Sequence, residues 1–386
     1  MVEWKKLADV CEQIIDGSHN PPKGVEYSSN YLLSSQNIQN GYIDFSNTRF
    51  ISDDEFVKEN RRTNIKKGDV LLTIVGTIGR SCVVNGKEGN LAFQRSVAIL
   101  KPKKELRSNY LMFSLQNITK KLNAESNGGA QKGIYLSQLS KISIPVPSVT
   151  EQERIVGILD TFTSTIDNLK KQIELRKKQY AQYRDELLDL KGKSSQDIVP
   201  FGSMCEMIKG NGVQKNDFVD EGIGCIHYGQ IYTHYGSFTY ETNKFVSKEV
   251  FDKAKKASKG DIIMTDTSEN VEDVCKSVAY LGDEDIAVSN HALIIKHKQN
   301  PKFISYSTLT TSFFIQKRKY AYGVKVTGIK PEHLSKIMIY LPSIDEQNHI
   351  VDKLDKFEDI ISNLEKQLAL RQKQYEYYRN ELLTFE

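Results

Sequence analysis

The chain has 386 residues, 39% of them hydrophobic, and a formal net charge of +4. That length allows two or three domains, each with its own buried core. The near-balance of charge excludes a strongly acidic mimic of nucleic acid, and any positive surface must come from lysines and arginines gathered on one face.

No apolar run approaches the roughly 18 to 20 residues that cross a bilayer. MVEWKKLADV lacks the apolar core of a signal peptide, so a cytoplasmic protein is expected. Cys11, Cys82, Cys205, Cys225 and Cys275 form no C-x-x-C pair and are odd in number, which reads as small buried thiols rather than a metal site or a disulfide framework.

In chain order, residues 1–147 read as a first globular unit. VCEQI (10–14) resembles MCEMI (204–208) in the second half. Asn20-Pro21-Pro22 opens like an amino-methyltransferase motif, but Lys23 stands where a base-stacking aromatic belongs, and the stretch reads as a turn. KKGDVLLT (66–73) is strand-like. GTIGR (76–80) joins glycines that permit close backbone approach to an arginine suited to guanine, and AFQRS (92–96) adds Gln94 and Arg95. The candidate DNA contacts here are Lys66, Lys67, Gly76, Thr77, Gly79, Arg80, Gln94 and Arg95.

Residues 148–192 read as a long helix. Ile155, Leu159, Phe162, Ile166, Leu169, Ile173, Arg176, Tyr180, Tyr183 and Leu187 alternate spacings of four and three, an a/d seam over five heptads. Ser148 and Glu151 form a capping-box pattern at its start, and Gly192 ends it. Arg176, polar within the seam, is expected to fix register.

Residues 193–342 read as a second globular unit, with MCEMI (204–208) echoing VCEQI and SKGDIIMT (258–265) as a strand cue. TDTSEN (265–270) and SNH (289–291) are polar loops, and the candidates are Thr267, Ser268, Asn270, Asn290, His291, Lys325 and Thr327. Lys317-Arg318-Lys319 is one of several basic runs that read as solvated surface or phosphate contacts. Residues 343–386 read as a second long helix, with Ser343, Glu346, Ile350, Leu354, Phe357, Ile361, Leu364, Leu368, Arg371, Tyr375, Tyr378 and Leu382 repeating the first pattern.

The repeat organises the whole chain. Residues 147–188 and 342–383 share 24 identities in 42 positions at an offset of 195. GIYLSQLSKI (133–142) faces GIKPEHLSKI (328–337) at the same offset. The chain is two related halves, each a globular unit followed by a helix of about 40 residues and roughly 60 Å. A seam of that length needs a partner helix. The short link KGKSSQD (191–197) cannot span far, so the two helices are expected to pair antiparallel, a pseudo-two-fold arrangement with a globular unit at each end. The helices match between halves while the globular loops diverge, as in a device that reads two different things at a set separation.

Enzyme signatures are absent. There is no F-x-G-x-G stretch for S-adenosylmethionine, no G-x-x-x-x-G-K-[ST] phosphate loop and no carboxylate upstream of the lone E-x-K, Glu3-Trp4-Lys5. His19, His291 and His297 show no ligand spacing.

These features together resemble the specificity (S) subunit of type I restriction–modification systems. The resemblance rests on the P-S-x-x-E-Q helix starts, the Q-Y-x-x-Y-R-x-E-L-L helix ends, the K-G-D strand cue and the G-I…L-S-K-I run, each present twice. It implies α/β target recognition domains that enter the grooves of double-stranded DNA, each reading half of a split, asymmetric sequence. The paired helices would be a ruler for the spacer, since half-sites read from one DNA face lie about 34 Å apart. It also implies a non-catalytic chain, with no cofactor of its own. Two methyltransferase subunits would clasp it and restriction subunits would join them, bringing S-adenosylmethionine, magnesium and ATP.

Residues that repeat between the helices and are read as lying off the seam are the candidate partner surface: Glu151, Gln152, Lys178, Gln179 and Arg184, with Glu346, Gln347, Lys373, Gln374 and Arg379. A solvated face has no need to repeat its identities. The alternatives are a stand-alone DNA binder and a coiled-coil scaffold with two protein-binding heads, which salt-sensitive binding to duplex DNA would separate.

Overall fold

The computed structural model describes residues 2–126, 132–323 and 326–385. The chain divides into two compact units, Met1–Lys170 with Lys366–Glu386, and Lys171–Glu365. Each long helix, Val149–Leu188 and Ile344–Leu383, contributes one part to each unit.

In the first unit an antiparallel sheet runs in the order Cys11–Asp16, Val97–Pro102, Val70–Thr73, Ser81–Val83. A second sheet runs Arg49–Phe50, Asn30–Leu33, Asn90–Phe93, its last two strands parallel. Val70–Thr73 and the first four residues of Val97–Pro102 are buried at every position, because one face meets helix Ser108–Asn117 and the other meets the second sheet. A buried central strand reads as a continuous apolar run rather than an alternating one. Strand Glu3–Lys6 pairs antiparallel with Ser143–Val146, clasping the beginning and end of the globular part.

The second unit repeats this order with Cys205–Lys209, Ala292–His297, Ile262–Thr265 and Ser277–Tyr280, then adds Phe238–Thr239 at the edge. Its second sheet centres on Lys244–Val246, Ile223–Ile226 and Ile286–Val288, again with the last pair parallel. Ile198–Pro200 and Met338–Tyr340 make the equivalent clasp.

The K-G-D cue has the same physical content in both units. Gly68 and Gly260 turn the chain at φ +93° and +95°, a region open to glycine. The Asp69 carboxylate then accepts the Lys66 backbone N–H at 2.9 Å and pairs with Lys101 of the neighbouring strand. Asp261 accepts from Ser258 at 2.8 Å and pairs with Lys296. Asp69 and Asp261 are both buried, so each charge is neutralised where it is desolvated.

The expected antiparallel pairing of the helices holds inside each unit. In the first, Ile155 and Leu159 share a core with Leu383. In the second, Leu188 shares one with Ile350 and Leu354. Ile166, Leu169, Ile173 and Ile361 are buried, and Phe162, Phe357, Leu364, Tyr180 and Tyr375 half-buried. Ser148 and Ser343 cap the helices by accepting from the N–H groups of Glu151 and Glu346 at 3.3 and 3.4 Å. Arg176 and Arg371 depart from expectation. Both are exposed and donate along their own helix to Gln179 and Gln374, at 2.8 and 2.7 Å. A solvated guanidinium avoids the desolvation that a register-setting place in the seam would impose.

Candidate nucleic-acid interface

In the first unit the loop after Val70–Thr73 is tied down from below. Thr73 Oγ1 donates to the carbonyl of Thr77 at 2.5 Å and accepts the Arg80 N–H at 3.0 Å. Gly76 and Gly79 adopt φ +80° and +98°, and a Cβ on Gly79 would lie 2.6 Å from the Thr119 methyl, so the loop requires glycine there. Gly76 and Thr77 project into solvent.

The turn at Gln94-Arg95 lies at the same end. Ile74 N–H donates to Ser96 O at 2.9 Å and Ser35 N–H to Ser96 Oγ at 3.0 Å. Arg95 N–H donates to Ser18 O at 2.9 Å, which brings in His19, held by Asp16 at 2.8 Å. Arg62 reaches the same place and donates to the Asp16 and Gly17 carbonyls at 2.5 and 2.6 Å. Gly76, Thr77, Arg80, Gln94 and Arg95 therefore form one polar, basic edge. Lys66 and Lys67 do not join it. They sit in the turn at the opposite end of Val70–Thr73 and line a cleft of about 470 Å³ with Lys101, Lys103 and Arg107.

The second unit places its candidates at the equivalent positions. Asp266 N–H donates to His291 O at 3.1 Å, as Ile74 does to Ser96. Thr267–Ser268 pairs with Thr327–Gly328 where Val75 pairs with Gly133, so Thr327 stands beside Ser268. Thr267, Ser268, Asn270 and His291 line a cleft of about 730 Å³. Sequence reasoning missed its other walls, Tyr228, Tyr232, His227 and Lys215. Tyr228 and Tyr232 belong to a single helical turn, Tyr228–Thr233, whose counterpart in the first unit is the turn at 34–37, with Ser35 in the place of Tyr228.

Burial lowers the His227 pKa, and its neutral Nδ1 accepts the Gly229 N–H at 3.2 Å. His291, at φ +63°, sits edge-on to Tyr228 with ring centroids 5.3 Å apart. The buried Asp266 beside it is held by Lys209 at 3.2 Å. Stacking rings and polar termini suit contacts with bases.

Several expectations are corrected. The Asn270 side chain is used within its own turn, bonding to Asp273 at 2.9 Å, and Asn290 Oδ1 accepts the Gly212 N–H at 3.1 Å. Lys317 is no phosphate contact. It is 5% exposed, and its ammonium donates to the carbonyls of Glu272 and Val274 at 2.8 and 2.6 Å, propping the loop from inside. Lys325 lies outside the described residues.

On the helices, Gln152 and Gln347 are fully buried rather than outward-facing. Gln152 Oε1 accepts the Arg107 N–H at 2.8 Å, and its Nε2 donates to Glu105 O and Pro147 O, each at 2.9 Å. Gln347 likewise accepts from Asn300 at 3.0 Å and donates to Pro342 O at 2.8 Å. These glutamines repeat because each ties a helix start to its own globular unit. Arg184 and Arg379 are half-buried against the rings of Tyr180 and Tyr375, at 5.9 and 5.3 Å. Gln374 is half-buried, and Glu151 is occupied by Arg154 at 2.6 Å. Lys178, Gln179, Glu346 and Lys373 remain exposed.

Comparison with known proteins accords with this architecture. The type I restriction modification DNA specificity domain matches residues 1–176 and again 197–371. The chain is 28% identical to the EcoR124I/EcoR124II specificity subunit of Escherichia coli, over 68% of each chain. It is 23% identical to the MjaVIII specificity subunit of Methanocaldococcus jannaschii, over 89% of this chain and 86% of that one. The crystal structure of the type I S subunit from M. genitalium shares the fold over 100% of this chain and 97% of that one, with a TM-score of 0.56 at 14% identity. With the domain present twice and the same strand order in both units, the chain belongs to the type I restriction–modification DNA specificity family.

Proposed function

We propose that this chain is the DNA-reading subunit of a type I restriction–modification enzyme, with the first unit reading one half of a bipartite duplex site and the second reading the other. The observation that carries the reading is that two equivalent loops, on equivalent strands, bear dissimilar side chains: Gly76 against Ser268, and Ser96 against His291. A common frame with different contact atoms is what two different half-sites require. The helices fix the spacing between the half-sites.

The chain carries no catalysis in this reading. Methyltransferase subunits bring S-adenosylmethionine, and restriction subunits, where present, bring ATP and magnesium. The exposed, repeated helix residues Lys178, Gln179 and Lys373 belong to the surface that methyltransferase subunits grip. The whole assembly works in the cytoplasm. No helix among the described residues is long and apolar enough to cross a membrane.

Methylome sequencing of cells with and without this chain is the test. One bipartite methylated motif is expected to vanish with the chain. An unchanged methylome, with the partner genes expressed, refutes the reading.

A further inference from the structure

The two units differ at one sheet edge. In the second, Phe238–Thr239 adds a parallel strand outside Ser277–Tyr280: the Ala279 N–H donates to Ser237 O at 3.0 Å and the Leu281 N–H to Thr239 O at 2.8 Å. That added strand fills the space between sheet and long helix. Ser237 Oγ reaches Glu358 at 3.2 Å, and Phe238 lies under the Lys302 ammonium, 3.7 Å from the ring centroid. Lys302 in turn pairs with Asp355 at 2.8 Å.

The first unit has the same edge without the strand. Val83 is the equivalent of Ala279, since it pairs with Val70 as Ala279 pairs with Ile262. The bonds Thr73–Arg80 and Asp69–Val84 fix the alternation, so the Val83 N–H and C=O point away from their neighbouring strand. The loop at 40–42 covers only the Ser81 end, where Gly41 N–H donates to Ser81 O at 2.9 Å. Beyond it lies a cleft of about 860 Å³ between sheet and helices, lined by Val83, Tyr42, Met112, Asp160 and Tyr375.

Asp160 is the equivalent of Asp355, 195 residues earlier. Among the described residues its carboxylate has no ion pair and no side-chain hydrogen bond, whereas Asp355 has Lys302 and the Tyr306 hydroxyl. Asn109, which stands where Lys302 does, two residues after the N–H that the buried glutamine accepts, carries no charge, and Arg107 is taken by Glu153 at 2.8 Å. Burial raises the Asp160 pKa accordingly.

We propose that the cleft between Val83 and Asp160 is a docking groove for an extended segment of a partner protein, which adds a strand to the Ser81–Val83 edge and brings a lysine or arginine to Asp160. The second unit supplies the template, because its own chain fills the same place by strand addition and meets the same carboxylate position with an ammonium. Open edges invite such pairing, and backbone bonds with a matched charge are the usual basis of it.

Two acetylated, amidated peptides are the probes: residues 234–241 of this chain, and the same peptide with Ser237→Lys to reach toward Asp160. Each is titrated into the full-length protein while amide hydrogen exchange is followed. Slowed exchange confined to residues 81–85 is expected, with the lysine peptide binding roughly tenfold more tightly, as one added ion pair of about 1.4 kcal/mol gives. Asp160→Asn should remove that tenfold preference. Val83→Pro, which deletes an outward-facing donor at an edge, should abolish binding by both peptides. Absence of protection at millimolar peptide, equal affinity for the two peptides, or protection that survives Val83→Pro each overturns the proposal. So does self-association through this edge, seen as a sedimenting dimer that Val83→Pro dissociates, because the occupant would then be a second copy of the chain.

Discussion

Phe162 stacks on Tyr378 with ring centroids 5.3 Å apart, and Tyr183 meets Phe357 at the same 5.3 Å in the other unit. Phe162 and Phe357 are the same position of the repeat, as are Tyr183 and Tyr378. In both units a phenylalanine from early in one helix therefore meets a tyrosine from late in the other, as an antiparallel pair built from two copies of one sequence must. Aromatic pairs add about 0.5–1.5 kcal/mol beyond their buried area. A double-mutant cycle of Phe162→Ala and Tyr378→Ala, followed by urea denaturation, should give a coupling energy of that order.

The buried glutamines predict a sharp contrast within one dipeptide. Gln152→Ala leaves the Arg107 N–H and two carbonyls without their partner and should cost about 1–3 kcal/mol. Glu151→Ala removes an exposed pair with Arg154 and should cost under about 1 kcal/mol. Thermal melts of the two variants check this, and equal losses contradict the assignment of Gln152 to the interior.

The seam is equally testable. Ile166→Glu and Ile361→Glu each place a carboxylate at a buried position, and the double variant should lose methylation of the bipartite motif in cells. Retention of the motif with its normal spacer would disprove the ruler.

Half-site assignments follow from the two edges. Arg95→Ala should relax or weaken only the first half of the motif, and His291→Ala only the second, each by about 1–3 kcal/mol. Lys66→Ala with Lys67→Ala, in the turn at the far end of its strand, should change neither half. Methylome motifs of the three variants distinguish these outcomes.

Glu358 makes stability depend on pH. Burial raises its pKa above the ordinary 4.5, against the opposing hydrogen bonds from Tyr180, Tyr306 and Ser237. A carboxyl that holds its proton more tightly when folded contributes stability that is complete below 4.5 and is lost as pH rises through the raised folded value. Glu358→Gln removes that dependence. The melting temperature of the variant relative to the unsubstituted chain should therefore rise between about pH 5 and pH 8. A constant difference across that range refutes the account.

Much of the fold was legible in the sequence because period and repetition speak for themselves. The seam marked both long helices, and the K-G-D cue marked two strands, whose leading turns the structure builds from the same aspartate contacts. The inward direction of Gln152 was also readable: it lies three residues before Ile155, so the alternation of three and four continues back to it. Its polar side chain argued for the surface and hid the pattern. Lys317 was misread for the same reason, since only the fold reveals the carbonyls that surround its ammonium. Tyr228 and Tyr232 gave no signal, because a single helical turn has too few residues to show a period. The shared loop positions were recoverable from the repeat, but the bases they meet depend on side-chain poses that no periodicity encodes.

The clasps Glu3–Lys6 with Ser143–Val146 and Ile198–Pro200 with Met338–Tyr340 bind the two margins of each globular part into one ribbon. Everything between those margins hangs from a zipped collar, so a surface loop there can lengthen, shorten or be cut by a protease without freeing the rest from its helix. Novel readers could thus be tried on an unchanged mount, with the collar absorbing the experiment.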